Sequence, residues 1–250
     1  MKPTTIVACS TKGGTSKTTT CVNLPDALAQ ELGVELGAGY DAQLYDLDPQ
    51  MSASEWHEAA GDGARPFPVL ACPRPTLDQF LASVREPRDL RVFDCPGIEA
   101  SNPATIAAVR AADFVLLPIQ PSAFDMWANA KLVDMVRTRM DITDGRTKAA
   151  FLITQASPRS RLARLTREAL METGIPVLDT VMHARKSYVE AAANGLTVFQ
   201  HSDVQAQAEM RGVAREILAM LGIERAVERR DDRANLASVP NLNAAVRAAA

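Results

Sequence analysis

The stretch Ser10-Thr11-Lys12-Gly13-Gly14-Thr15-Ser16-Lys17-Thr18-Thr19 decides how the chain is read. It stands between an apolar run, Ile6-Val7-Ala8-Cys9, and a segment over 18–32 with helical periodicity. A strand, a turn of small residues and a helix in that order make a cradle for phosphate. Small residues let the backbone wrap closely, so that several N–H groups converge on one anion. The helix adds its unsatisfied first-turn N–H groups and the positive end of its dipole. Lys17 is placed to neutralise β- and γ-phosphate oxygens, and the Thr18 hydroxyl to ligate Mg²⁺. The ordinary pattern GxxxxGK[ST] is not met, because Thr11 and Ser16 occupy its two glycine positions. What remains is KGGxxK[ST], with an additional lysine at Lys12.

Outward from the loop, short apolar runs alternate with amphipathic stretches, the pattern of repeated βα units. Strands are predicted over 42–47, 66–72, 90–93, 114–119 and 149–153. Helices are predicted over 76–86, 122–140, 161–172 and 202–221, the last closed by Gly222. The segment 33–40 (GVELGAGY) is a glycine-rich excursion before the second strand. These elements imply an α/β fold, one domain over residues 1–222 with a mostly parallel sheet and helices on both faces. Residues 223–250 shift to charge and then to Ala and Asn, and are expected to form a poorly ordered tail.

The 250 residues suffice for one sizeable core. Aromatics are only 5%, so that core must rest on Ala, Leu, Val and Ile. A formal net charge of −3 means that any nucleic-acid binding must come from a local basic patch. The four cysteines, Cys9, Cys21, Cys72 and Cys95, form no CxxC pair, which argues against zinc and a disulfide framework. The first residues lack the apolar core of a signal peptide, and no apolar run reaches eighteen residues. The chain reads as cytosolic, with no membrane span expected.

Two acidic segments follow the loop. Asp46-Leu47-Asp48-Pro49-Gln50 begins 29 residues beyond Lys17, about one βαβ unit. Leu90-Arg91-Val92-Phe93-Asp94-Cys95-Pro96-Gly97 is an apolar strand ending in an acid. Phosphoryl transfer to water needs one carboxylate to orient the nucleophile and others near the metal's hydration shell. Cys95, with no His or Cys neighbour in sequence, reads as a packing residue.

KGGTSKTT resembles the deviant Walker A motif of the ParA/MinD family of P-loop ATPases, and DLDPQ and LRVFD resemble its next two motifs. The likeness runs from about Thr4 to Leu221 and is nearest to small partition ATPases without an N-terminal helix-turn-helix domain. It implies an α/β P-loop NTPase fold and ATP with Mg²⁺ held by residues 12–19, namely Lys12, Gly13, Gly14, Thr15, Ser16, Lys17, Thr18 and Thr19. It further implies that Lys12 reaches the partner's phosphates in an ATP-dependent homodimer, that Asp48 positions the attacking water, and that Asp46 and Asp94 lie near the magnesium. Ser16 replaces the family's usual glycine; serine suits a helix N-terminus, so nucleotide binding is expected to survive. Phe114–Ile119 and the turn after it resemble the family's strand-to-helix crossing, although Met126 and Trp127 alone read as core. Thr154 stands where relatives usually carry an Asn that helps read adenine.

Arg161, Arg164 and Arg167 share one face of a predicted helix, opposite Leu162, Leu165 and Ala169. Alone, such a stripe is a solvated face. With Arg185 and Lys186, in a segment resembling one near the DNA-binding surface of small ParA proteins, it becomes a candidate for nonspecific, salt-sensitive DNA binding. The resemblance then implies a partition ATPase released from DNA by a ParB-like partner. Positioning of a protein cargo is a variant of the same mechanism. A MinD-like membrane regulator would need bulky apolar residues in the tail, which offers Val239, Leu242 and Val246 among alanines. A metabolic enzyme on this fold would need a substrate pocket or a paired-cysteine cluster, and neither is legible.

Overall fold

The structure, a computed structural model, describes residues 3–37, 40–61, 67–72, 77–83, 87, 89–97, 101–122 and 130–223. The tail from 224 onward, Met126 and Trp127 lie outside the described residues. Seven strands alternate with helices: β1 Thr4–Ala8, α1 Lys17–Leu32, β2 Ala42–Asp46, α2 Ser52–Ala59, β3 Val69–Ala71, α3 Leu77–Ser83, β4 Leu90–Asp94, α4 Pro103–Ala111 and β5 Phe114–Ile119. The second half continues with α5 Ala130–Ile142, β6 Lys148–Ala156, α6 Arg161–Met171, β7 Val177–His183, α7 Lys186–Ala193, a 3₁₀ turn Val198–Gln200 and α8 Val204–Leu221.

All seven strands join one sheet in the order β3-β2-β4-β1-β5-β6-β7, and every pairing is parallel. Both faces are covered, which is why the central strands read as unbroken apolar runs. Alternate side chains serve opposite faces. Ile6, Leu44, Val92 and Leu116 pack with α1, α2, α7 and α8. Val7, Tyr45, Phe93 and Leu117 pack with α3, α4, α5 and α6, and Cys95 is fully buried among them, as a packing residue should be. From β1 the chain moves to β2 on one side, whereas β4 crosses β1 to reach β5 on the other. Such a switch point opens a crevice beyond the carboxyl ends of the strands.

The predicted elements are present where the described residues cover them, the helix expected over 122–140 being described from Ala130 on, and the structure adds α2, α4, β7 and α7. α4 carries a readable start: Asn102 accepts hydrogen bonds from the N–H groups of Ala104 and Thr105, with Pro103 at the first helical position. β7 pairs through β6 alone at the sheet edge, with register shifts, and its half-buried alternation hid it.

One expectation is corrected at α6. Leu162 and Leu165 are 48% and 44% exposed, whereas Thr166 and Leu170 are buried. The helix is turned by about one residue from the orientation that its leucines suggested. Ala163 and Thr166 are small enough for close approach to the sheet, and Arg167 reaches β7, donating from Nη1 to the Val177 carbonyl (3.4 Å) and from Nη2 to that of Asp179 (3.2 Å).

Candidate nucleotide-binding site

Register brings the site together. Ala8 pairs with Asp94, and Asp94 with Asp46, so β1, β4 and β2 end side by side. The loop after β1 therefore lies over two carboxylates from neighbouring strands. Gly13, Gly14, Ser16, Lys17, Thr18 and Thr19 line one cavity of about 310 Å³, together with Asp48, Gln50, Ser52, Gly97 and Gln155. Thr15 is buried and turned inward, its hydroxyl 3.5 Å from the Lys12 carbonyl. Lys12 is exposed at the loop and does not line this cavity.

The loop alternates in handedness: Gly14 has φ +75° and Ser16 φ +64°. Alternation of this kind makes successive N–H groups converge on an anion. It also explains the glycine usual at residue 16. A side chain in the left-handed region costs roughly 1–2 kcal/mol, and Ser16, the N-cap of α1, makes no side-chain capping bond in return. Lys17 is only 6% exposed, and its ammonium donates to the Lys12 carbonyl at 3.1 Å. A Cβ on Gly97 would fall 2.9 Å from Lys17 Nζ and 3.2 Å from Gly13 N and Cα, so only glycine fits there without displacing the loop.

The Thr18 hydroxyl donates to Asp94 Oδ2 at 2.5 Å. Asp94 Oδ1 is buried, and no donor reaches it among the described residues. Burial above all pushes the Asp94 carboxyl up to about 7, with Asp46 and Asp48 adding to the shift and Thr18 and Lys17 opposing it. Asp46, fully buried, accepts from Ser54 N (2.9 Å), Ser54 Oγ (3.0 Å) and Asp48 N (3.1 Å); burial raises its pKa against those bonds. Asp48 is half-buried and accepts from Gln50 N at 2.9 Å. An orphaned carboxylate oxygen beside a threonine hydroxyl fits Mg²⁺, which takes one or two protein oxygens and completes its octahedron with phosphate and water. Thr18 and Asp94 would hold it, with Asp46 behind.

Three residues were missed from sequence. Gln120, at the end of β5, and Gln155, at the end of β6, both donate from Nε2 to the Gly14 carbonyl, at 2.6 and 2.7 Å. Gln155 Nε2 also donates to Ser16 Oγ at 2.9 Å. Gly97 is the third; its DCPG context follows an acid at a strand end and was the available signal. Thr154 is fully buried and donates to the Thr15 and Ile119 carbonyls (3.1 and 3.2 Å), so its side chain braces the loop and does not face a base. A second cavity of about 670 Å³ shares Ser16, Thr19 and Gln155 with the first and is lined by Met182, Tyr188 and Val189, with His183, Arg185 and Lys186 beside them.

The five basic candidates differ in what holds them. Arg161 and Arg164 are exposed on α6, with Arg164 3.5 Å from Glu168. Arg167 is spent on β7, as above. Arg185 donates from Nε and Nη2 to Glu209 Oε1 (2.8 and 2.7 Å) and from Nη1 to Gln205. Lys186 is exposed at the start of α7, at the rim of the larger cavity. Among the described residues, no helix is long and apolar enough to cross a membrane.

Comparison with known proteins bears on the whole assembly. The family model of the CobQ/CobB/MinD/ParA nucleotide binding domain matches residues 6–198. Maintenance of carboxysome distribution protein A from Gloeobacter kilaueensis is 36% identical over 222 residues, covering 86% of this chain and 94% of that protein. The protein of the same name from Halothiobacillus neapolitanus is 30% identical over 200 residues, covering 80% of this chain and 88% of that one. An ATP complex of McdA from Cyanothece superposes with a TM-score of 0.65 at 16% identity, over 90% of this chain and 98% of that one, which is a likeness of fold.

Proposed function

The chain belongs to the CobQ/CobB/MinD/ParA nucleotide-binding family, and from that premise we propose that it is a ParA-type ATPase whose nucleotide cycle positions a protein cargo. The observation that carries the reading is the pair of relatives at 36% and 30% identity, both named for carboxysome distribution. They favour a protein assembly as cargo over a plasmid or chromosome centromere with a ParB-like partner, the reading that the motifs alone suggested.

In this reading ATP lies with its phosphates in the smaller cavity and its nucleoside in the larger. Lys17 leaves the Lys12 carbonyl and neutralises β- and γ-oxygens. Thr18 and Asp94 would hold Mg²⁺, which would supply positive charge against the phosphate oxygens. Asp48, half-exposed on the cavity wall, orients the attacking water, and Asp46 fixes the Asp48 backbone by accepting its N–H. Lys12, outside its own cavity, reaches the phosphates of a second copy, so ATP joins two chains into a dimer. Arg161, Arg164 and Lys186 then offer DNA phosphates a nonspecific, salt-sensitive surface. Hydrolysis, weak until a cargo-bound partner stimulates it, releases the dimer.

Two measurements test this. Size-exclusion chromatography with Mg²⁺ and ATP, with ADP, or with neither, each with and without duplex DNA, should give a dimer with ATP alone and DNA retention of that dimer. Deleting the gene should mislocalise a protein assembly while leaving plasmid and chromosome inheritance intact. Plasmid loss with normally placed assemblies would return the reading to partition.

A further inference from the structure

The serine at residue 16 stands in a left-handed conformation that favours glycine, and its hydroxyl forgoes the capping bond that serine usually makes at a helix start. That hydroxyl accepts from Gln155 Nε2 at 2.9 Å. The same amide nitrogen, together with that of Gln120, donates to the Gly14 carbonyl. One residue on, Thr154 Oγ1 donates to the Thr15 carbonyl. A trans peptide is planar, so fixing a carbonyl also fixes the N–H of the following residue. The bonds to Gly14 and Thr15 therefore fix the directions of the Thr15 and Ser16 N–H groups, two of the donors that the phosphate cradle needs. The ends of β5 and β6 supply these anchors from outside the loop.

We propose that Gln155, assisted by Gln120, is a positioning residue of the phosphate loop, and that its bond to Ser16 Oγ is what lets a serine serve where the alternating loop favours glycine. The proposal rests on the reading that this loop binds phosphate. It makes Ser16 and Gln155 a coupled pair: the serine departs from the glycine pattern, and the glutamine holds the departure in working shape. Gln155 is exposed at the end of β6, so its replacement leaves the core untouched.

The test is calorimetry with Mg²⁺ on the full chain, using pyrophosphate, ATP and GTP, for the wild type, Gln155→Met, Gln120→Met, Ser16→Gly and the Ser16→Gly/Gln155→Met double variant. Loss of one or two net hydrogen bonds should weaken pyrophosphate and ATP by the same factor, about five- to tenfold, in Gln155→Met, and by less in Gln120→Met. The ratio of ATP to GTP affinity should not move. In the Ser16→Gly background the Gln155→Met loss should shrink to about twofold, because glycine needs no hydroxyl anchor; this non-additivity is the signature of direct coupling. Unchanged or tighter pyrophosphate binding by Gln155→Met overturns the proposal, as does a full additive loss in the glycine background. A changed ATP to GTP ratio with intact pyrophosphate binding would give Gln155 to the base and overturn it too. A wild type that takes up neither pyrophosphate nor nucleotide would sink the nucleotide reading itself and this proposal with it.

Discussion

Replacing Asp94 with Asn separates what the carboxylate does for function from what it costs the fold. Asp94 is 1% exposed, one of its oxygens meets no donor among the described residues, and its pKa rises from 3.8 to about 7. An acid with a raised pKa in the folded state holds a proton there that the unfolded chain has already lost. Between pH 4 and 7 unfolding therefore releases a proton, and stability falls as pH rises through that window. About three pH units at 1.36 kcal/mol each make the ionised form about 4 kcal/mol less favourable to the fold above pH 7. Asparagine keeps an acceptor for the Thr18 hydroxyl and carries no charge, and the cost of burying its amide group is set at about 1–3 kcal/mol, the worth of an unmet hydrogen bond. The net is a gain of about 1–3 kcal/mol at pH 8, or a Tm higher by about 4–8 °C at the middle of that range. Thermal unfolding in EDTA without nucleotide, from pH 4 to 8, should show Asp94→Asn overtaking the wild type as pH rises, with no advantage at pH 4. A variant less stable than the wild type at pH 8, or a difference independent of pH, would refute the burial argument. The same variant should hydrolyse ATP far more slowly.

Lys17→Ala should abolish ATP binding by calorimetry, since it removes the buried ammonium beside the loop; wild-type affinity would remove the loop assignment. Asp48→Ala should retain ATP and accumulate the dimer on size-exclusion chromatography, and normal turnover would end its role in positioning water. Gly97→Ala should weaken ATP by about tenfold, the worth of 1.4 kcal/mol, as the new methyl group displaces Lys17 Nζ; equal affinity would show that the loop yields cheaply. Arg161→Ala/Arg164→Ala should lower DNA retention and flatten its salt dependence by about two charges. Retention unchanged at every salt concentration would leave those arginines as a solvated face.

The parts of the site that were legible are those whose chemistry is local in sequence. A run of small residues with a lysine and a threonine is local in sequence, so residues 12–19 were read as one loop, and all of them but Lys12 and Thr15 line the cavity. Asp46 and Asp94 were legible because each ends an apolar strand, although their in-register pairing is a property of strand order. Gln120 and Gln155 were not legible. Each is a lone amide at a strand end, and it acquires meaning only when parallel pairing sets β5 and β6 beside the loop. Ser16 was visible as a departure from pattern, but its positive φ, which makes that departure costly, was not. At α6 the periodicity was correct and the facing wrong. Leucine outranks alanine and threonine in any hydrophobicity argument, yet the smaller residues face the sheet.

The site's own groups form a collection of local conflicts. A serine holds a glycine's conformation, a lysine ammonium is buried against a carbonyl, and two buried carboxyls have raised pKa values on adjacent strands. On the proposed function, a triphosphate with Mg²⁺ would relieve several of these at once: Lys17 would gain a counter-charge, Asp94 Oδ1 a cation, and the converging N–H groups an anion. Strain that ligand relieves appears as ligand-dependent stability, about 2.7 kcal/mol at a hundredfold excess over Kd. Several conflicts meeting in one cradle are what a site shaped for a ligand would carry.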